Sequence, residues 1–302
     1  MSDVITVFGS INLDVIFRSE ALPHPGQTVL AASMRTEPGG KGANQAVAAA
    51  RDGARVAMAG AIGCDAMAET ALAGLRAAGA DLSRLATLDA STGCASVCTD
   101  AEGRNQIVVA LGANILATDA RVEDALLAPG STLVTQMEAD PSSTARLILR
   151  ARARGARTIH NLAPAAPLAE QALRALDILV VNETEGVWLG AHLGGTDGDA
   201  LSLHRTLGIV VIRTLGGEGV EWADGGQRYY RPAPPTQVRD TTAAGDCFVG
   251  VLAAALDRGA TLAEAVTRAV IAASLSCTRV GSQNSLPDAH ETDAALLRLA
   301  AH

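Results

Sequence analysis

Ile178-Leu-Val-Val181 runs directly into Asn182, with helical patterns on either side. A short apolar run in that setting reads as a strand buried on both faces, the kind that builds parallel sheets. The same grammar recurs three times. Leu133-Val-Thr-Gln-Met137 leads into Glu138, Thr158-Ile-His160 into Asn161, and Ile209-Val-Val-Ile-Arg213 into Thr214. From residue 113 onward helices and strands alternate in this way, the mark of βαβ units and so of an α/β fold around a parallel sheet. Ligands of such sheets bind outside the carboxyl ends of the strands, so these four polar residues are expected to line one crevice. Ordinary loop polarity explains one or two of them; four in succession, together with Asp246, point to a site.

Downstream, Asp240-Thr-Thr-Ala-Ala-Gly-Asp246 precedes the helical pattern Cys247 to Leu256. Small residues at Ala243, Ala244 and Gly245 let the backbone approach a ligand closely. A helix starting there aims unpaired N–H groups and its positive dipole end at an anion. Asp246 would stand at the edge of a bound phosphate, placed to take a proton from an attacking hydroxyl. Asp also commonly begins or caps a helix, and the segment alone leaves both readings open.

The 302 residues suffice for one large α/β domain or two smaller ones. Aromatics make up 2% against 48% hydrophobic residues, so the core must be built of Ala, Val, Leu and Ile, and aromatic platforms for single-stranded nucleic acid are disfavoured. A net charge of −8 argues further against nucleic acid or an acidic membrane surface as a partner. The five cysteines form no CxxC pair, and neither a signal peptide nor a spanning apolar run is evident, so a reduced, cytoplasmic protein is expected. Cys94 and Cys98 share a strand face, but no further ligands lie near them in sequence, which favours buried thiols over a zinc site. Of the 24 basic residues, 23 are arginine. The one lysine, Lys41, lies among the glycines of Pro38-Gly-Gly-Lys-Gly-Ala-Asn44, where a compact ammonium would fit better than a guanidinium, although a single case can arise by chance.

At the N-terminal end, Val4 to Phe8 reads as a first strand ending at Gly9-Ser10. Ile11 to Phe17 alternates as a second, with Asn12 and Asp14 on its polar face. A solvated face accounts for Asp14 unless other polar groups converge there. Residues 21–38 hold three prolines and are expected to be irregular or weakly stranded. Gly42 to Ala54 reads as an Ala-rich helix, 55–60 as a strand and 66–78 as a helix. Thr92 to Val109 reads as β-type runs broken by the hairpin turn Asp100-Ala-Glu-Gly103. This hairpin and the strand at 11–17 would make a small separate sheet.

Several nucleotide motifs are absent. Gly40-Lys41 is followed by Gly42, and position 35, where the P-loop pattern needs Gly, is Arg, so no P-loop is present; Gly9-Ser-Ile-Asn12 lacks the dinucleotide glycine fingerprint; His204-Arg205-Thr206 lacks the Asp of a protein-kinase loop. His24, His160 and His192 are scattered and read as structural.

Taken in order, Gly9-Ser-Ile-Asn-Leu-Asp14, Gly39-Gly-Lys-Gly-Ala-Asn-Gln-Ala46, Gly112-Ala-Asn114, Asn182-Glu-Thr-Glu185, Thr214-Leu-Gly-Gly-Glu-Gly219 and Asp240 to Asp246 resemble the ribokinase (PfkB-type) sugar kinases over nearly the whole chain. The resemblance implies a three-layer α/β/α core with a mostly parallel sheet (1–10, 38–90 and 111–302) and a β lid (11–37 with 91–110) whose pairing makes a homodimer. It implies ATP-dependent phosphorylation of a sugar's primary hydroxyl, D-ribose first, with Mg²⁺ and a monovalent cation, usually K⁺. Carried over, Asn12, Asp14, Gly39, Gly40, Asn44 and Glu138 would bind the sugar, and Lys41 would approach the phosphates. Asp246 would be the catalytic base beside an anion hole of Ala243, Ala244 and Gly245. Asn182 and Glu185 would order Mg²⁺ through water, and Asn182, Thr214, Gly216 and Gly219 would meet the nucleotide. The K⁺ shell would draw on Asp240, Thr242, Ser276, Arg279, Gly281 and Ser285, several through backbone carbonyls, and so hold the anion-hole loop in place.

The chain departs from its relatives at Leu162, where many ribokinases have Pro, at Ala110, and at Val270, which offers adenine only an aliphatic wall. Within the kinase reading, deoxyribose, a ketose, an acidic sugar or a nucleoside remain alternatives to ribose. Asp14 and Asn44 suit vicinal hydroxyls, and the lid segments carry Phe17 as their only aromatic, which speaks against a nucleoside base pocket. A non-catalytic sensor of sugar or nucleotide on the same fold is the alternative of another class. Asp246 is expected to act late and chiefly to orient the hydroxyl.

Overall fold

The computed structural model describes residues 4–300; positions 1–3 and 301–302 of the expected core ranges lie outside the described residues. The first part of the chain comprises β1 (Ile5–Phe8), β2 (Asn12–Ser19), β3 (Ala31–Gly39), α1 (Lys41–Arg51), β4 (Val56–Gly63), α2 (Met67–Ala77), β5 (Asp81–Leu88), β6 (Gly93–Thr99) and β7 (Asn105–Ala110). Short 3₁₀ turns between 112 and 127 lead to β8 (Thr132–Thr135), α3 (Pro141–Arg154), β9 (Arg157–Asn161), α4 (Glu170–Arg174), β10 (Ile178–Asn182) and α5 (Glu183–His192). Then come α6 (Ala200–Leu207), β11 (Val210–Thr214), β12 (Gly219–Asp224), β13 (Gln227–Pro232), α7 (Ala244–Asp257), α8 (Leu262–Ser276) and α9 (Ala289–Ala300).

Nine strands form one sheet in the order β13-β12-β11-β10-β9-β8-β1-β4-β5, parallel except where β12 meets β11 and β13. Successive side chains of a strand enter opposite layers. Ile178 and Val180 therefore pack with α1, α2, α7 and α8, whereas Leu179 and Val181 pack with α3, α4, α5 and α6. Strands buried on both sides explain the unbroken apolar runs and make a three-layer α/β/α body.

A second sheet, ordered β3-β2-β6-β7, stands apart from the first. It contains the expected hairpin and second strand, and Asp100 fixes the hairpin turn by accepting from the backbone N of Glu102 at 3.0 Å and of Arg104 at 2.9 Å. Of residues 21–38, expected to be irregular or weakly stranded, 21–30 hold no helix or strand, and β3 sharpens the reading of the rest. Residues 31–39 form a full strand paired antiparallel with β2, and its edge position tolerates Pro38, which lacks a donor for a further ladder. β5 was not expected, because an edge strand that is half exposed lacks a continuous apolar run.

α1 and α7 pack unusually closely. A Cβ on Gly250 would lie 2.4 Å from Gln45 O and 2.6 Å from Ala48 Cβ, so only glycine permits the contact. Gly250→Ala is expected to lower stability by about 1–3 kcal/mol through overpacking, as read by denaturant unfolding.

Candidate active site

Sharp turns bring the first half of the site together. Gly40 has φ +89° and a Cβ there would lie 2.8 Å from Asn12 N, while a Cβ on Gly39 would lie 2.1 Å from Asp14 Oδ2. The two glycines thus let α1 begin directly under β2. Glu138 Oε2 accepts from Ser10 Oγ at 2.6 Å and from Lys41 N at 3.2 Å, tying the end of β8 to the same turn. Asp14 is pushed up to about 7 by burial and by the neighbouring Glu138, Glu37 and Asp246, with Lys41 opposing. Burial disfavours the Lys41 ammonium, yet Asp246, Glu138, Glu185 and Asp14 outweigh it and raise its proton affinity. Lys41 is therefore held charged among carboxylates.

Asp246, in the first turn of α7, is buried and accepts one amide at each oxygen: Asn44 Nδ2 at 3.0 Å on Oδ2 and Gln45 Nε2 at 3.0 Å on Oδ1. Gln45 Nε2 also donates to Asn161 Oδ1 at 3.1 Å, and Gln45 Oε1 accepts from Gln136 Nε2 at 2.7 Å. Gln283 Nε2 donates to Asn44 Oδ1 at 3.1 Å. This chain of amides fixes both the position and the rotation of the carboxylate, leaving its remaining lone pairs for a ligand.

The N-cap of α7, Ala243, adopts φ 58°, a left-handed conformation that is uncommon for a residue with a Cβ. Ala244 N donates to Thr241 O at 3.2 Å, whereas Gly245 N, at a helix start, has no backbone partner among the described residues. A Cβ on Gly245 would meet nothing within 4 Å. Ala244 and Gly245 face a cavity of about 500 Å³ that Thr214, Gly216, Gly219, Val220, Phe248 and Val270 also line. Its wall is largely apolar, as a purine requires.

Asn182 and Glu185 form a reciprocal cap of α5: Asn182 Oδ1 accepts from Glu185 N and Glu185 Oε2 from Asn182 N, both at 2.8 Å. Burial raises the Glu185 carboxyl, with the Asn182 N–H and Lys41 opposing. Its Oε1 is left for a water or cation. Asp240 Oδ1 accepts from Thr242 N (2.9 Å) and Oγ1 (2.6 Å), and Oδ2 from Gly281 N (2.9 Å). The Arg279 guanidinium pairs with Glu291, so only its backbone could face a cation. Ser276 and Ser285 donate to nearby carbonyls, Ala273 O and Ser282 O, at 2.8 and 2.7 Å.

Of the residues singled out in sequence, Asp14, Lys41, Asn44, Glu138 and Asp246 converge. Asn12 is buried beneath them, its Oδ1 accepting from Asn114 Nδ2 at 2.8 Å. Gln45 and Gln283 were missed as site residues. Gln45 stood in the quoted glycine-rich run, but nothing local reveals a partner 201 residues away. His160 is fully buried and bonded through Nδ1 to Thr135 Oγ1 at 2.8 Å; burial pushes its imidazole down to about 3, so it stays neutral. Among the described residues no group of three or more His, Cys, Asp or Glu could hold a metal ion, and no helix is long and apolar enough to cross a membrane.

The family model described as pfkB family carbohydrate kinase matches residues 2–289. The chain belongs to the pfkB family of carbohydrate kinases. Like other pfkB kinases it is a sugar kinase, and it is 34% identical over 299 residues to a ribokinase of Haemophilus influenzae, across 97% of this chain and 98% of that one. The solved ribokinase of Thermotoga maritima matches with a TM-score of 0.87 at 30% identity, covering 98% of this chain and 100% of its own. An Arabidopsis thaliana ribokinase complexed with ribose and ATP matches with a TM-score of 0.86 at 28% identity, over 97% and 98% respectively. The three-layer body with its separate small sheet is thus that of the pfkB kinases.

Proposed function

We propose that the protein transfers the γ-phosphoryl group of ATP to the primary hydroxyl of D-ribose, giving D-ribose 5-phosphate and ADP. The observation that carries this reading is the place of Asp246, at the joint between the Asp14–Lys41–Glu138 cluster and the cavity lined by Ala244 and Gly245. Asp14, Asn44 and Glu138 take the sugar hydroxyls, with Gly39 and Gly40 allowing close approach and Asn12 supporting them. Asp246 aligns the attacking hydroxyl in line with the phosphorus and accepts its proton as the new bond forms. Lys41 and the amides at Ala243, Ala244 and Gly245 stabilise the charge on the transferred group. Thr214, Gly216 and Gly219 face the nucleotide.

The donor chemistry fits two cations. Glu185 through Oε1, with Asn182, would hold Mg²⁺ through water, and this cation supplies neutralisation of phosphate charge when bound. Asp240, Thr242, Gly281, Ser276, Ser285 and the Arg279 carbonyl offer the all-oxygen shell that a K⁺ ion takes. The small sheet serves as a lid, and its exposed Met34, Ile107, Val108 and Val109 suit a homodimer contact. The protein acts in the cytoplasm, on small molecules and without nucleic acid or membrane partners.

Two measurements test this. With ATP, Mg²⁺ and K⁺ and a panel of pentoses, hexoses and nucleosides, ADP release is expected to show the highest kcat/KM for D-ribose; a higher value for deoxyribose or a nucleoside overturns the assignment. The second concerns pH. kcat/KM for the sugar is expected to fall as pH drops through about 7, where Asp14 gains a proton and stops being a pure acceptor, and Asp14→Asn should abolish that limb of the profile.

A further inference from the structure

Glu37 lies on β3, directly opposite Asp14, and is buried. Its Oε1 accepts from Arg35 Nε at 2.7 Å and its Oε2 from Ser282 N at 3.3 Å. In the other direction Ser282 Oγ donates to Pro38 O at 2.8 Å. The small sheet is thus latched at two adjacent residues to the turn at 281–283. The same turn reaches two further parts of the site. Gly281 N donates to Asp240 Oδ2, at the head of the anion-hole loop, and Gln283 Nε2 donates to Asn44, which holds Asp246. Gly281 itself, at φ +104°, leaves no room for a Cβ, which would lie 2.9 Å from Glu37 Oε2.

We propose that Glu37 is a positioning residue that couples the lid, and hence sugar binding, to the anion hole and nucleotide through the turn at 281–283. The inference rests on the sugar-kinase reading of the site but not on ribose as the sugar. When a sugar draws β2 and β3 down, Glu37 and Pro38 carry the turn with them. Gly281 and Gln283 then set Asp240 and Asn44, so each ligand favours the arrangement the other needs. Coupling of this kind is a single free energy shared by both sites, so it reads out identically from either ligand.

Titration calorimetry on the full chain, with D-ribose and a non-hydrolysable ATP analogue in Mg²⁺ and K⁺, tests the proposal. Wild type is expected to bind ribose about fivefold or more tightly once the analogue is bound, a usual size for such coupling. In Glu37→Ala each ligand alone should bind within about threefold of wild type while the coupling falls below about twofold. Glu37→Gln keeps an oxygen for Ser282 N and should restore most of it, a rescue that a general loss of stability would not show. Wild-type coupling retained in Glu37→Ala, no coupling in wild type, or no rescue by Glu37→Gln would each overturn the proposal. Failure of wild type to bind D-ribose overturns the substrate reading alone, and coupling is then read with the sugar that the panel assay returns.

Discussion

Asp246→Ala is expected to lower kcat by about 10²- to 10⁴-fold with little change in the sugar's KM, the usual loss for a positioned base. At 1.36 kcal/mol per tenfold step, that is about 3–5 kcal/mol of transition-state stabilisation. The fold should survive, because the two amides that face Asp246, from Asn44 and Gln45, keep their other partners in Gln283, Asn161 and Gln136. Asp246→Asn should fare no better. Both neighbours are donors, so the new side-chain NH₂ would confront one of them and the amide would rotate away from the hydroxyl. Steady-state ADP release with varied sugar separates the two constants, and near-normal turnover in Asp246→Ala would sink the assignment.

The second large effect lies at the opposite end of the same two helices. Asp52 closes α1, and its buried carboxylate accepts from Arg258, which closes α7, at 2.6 Å and from Arg268 on α8 at 2.6 to 3.0 Å. Asp52→Ala is expected to cost about 3–5 kcal/mol of stability, since it leaves two guanidinium groups without their shared partner and one of them, Arg268, is largely shielded from water. Denaturant unfolding measures this; a change under about 1 kcal/mol, the scale of a surface pair, would show that the arginines find solvent instead. Asp52 thereby joins the far ends of α1 and α7, while Asn44, Gln45 and Asp246 meet at their near ends. The site is placed on two helices held together at both ends.

The parts of the molecule legible in sequence are those whose signal is local. The apolar runs ending in Glu138, Asn161, Asn182 and Thr214 report strands buried on both faces, and the structure places all four strands side by side in one sheet. The small residues of 243–245 report a close-approach helix start. β5 escaped, and β3 reads only as weakly stranded, because an edge strand need bury only one face and carries no periodic apolar signature. Asn182 and Glu185 show the reverse case, in which a motif read for cation binding forms a reciprocal helix cap.

By itself the sequence determined the fold class, the α7 helix start with Asp246 in its first turn, and the glycine turn that carries Lys41, because strand pattern, helix start and glycine conformation are properties of neighbouring residues. Only the tertiary structure decided which amides grip Asp246, that Glu37 meets the 281–283 turn, and that Asp52 clamps α1 to α7. Those contacts join residues some 200 or more positions apart. A hydrogen bond is short and directional, so its partner is chosen by where the packed layers bring two side chains and leaves no trace in the local pattern of either.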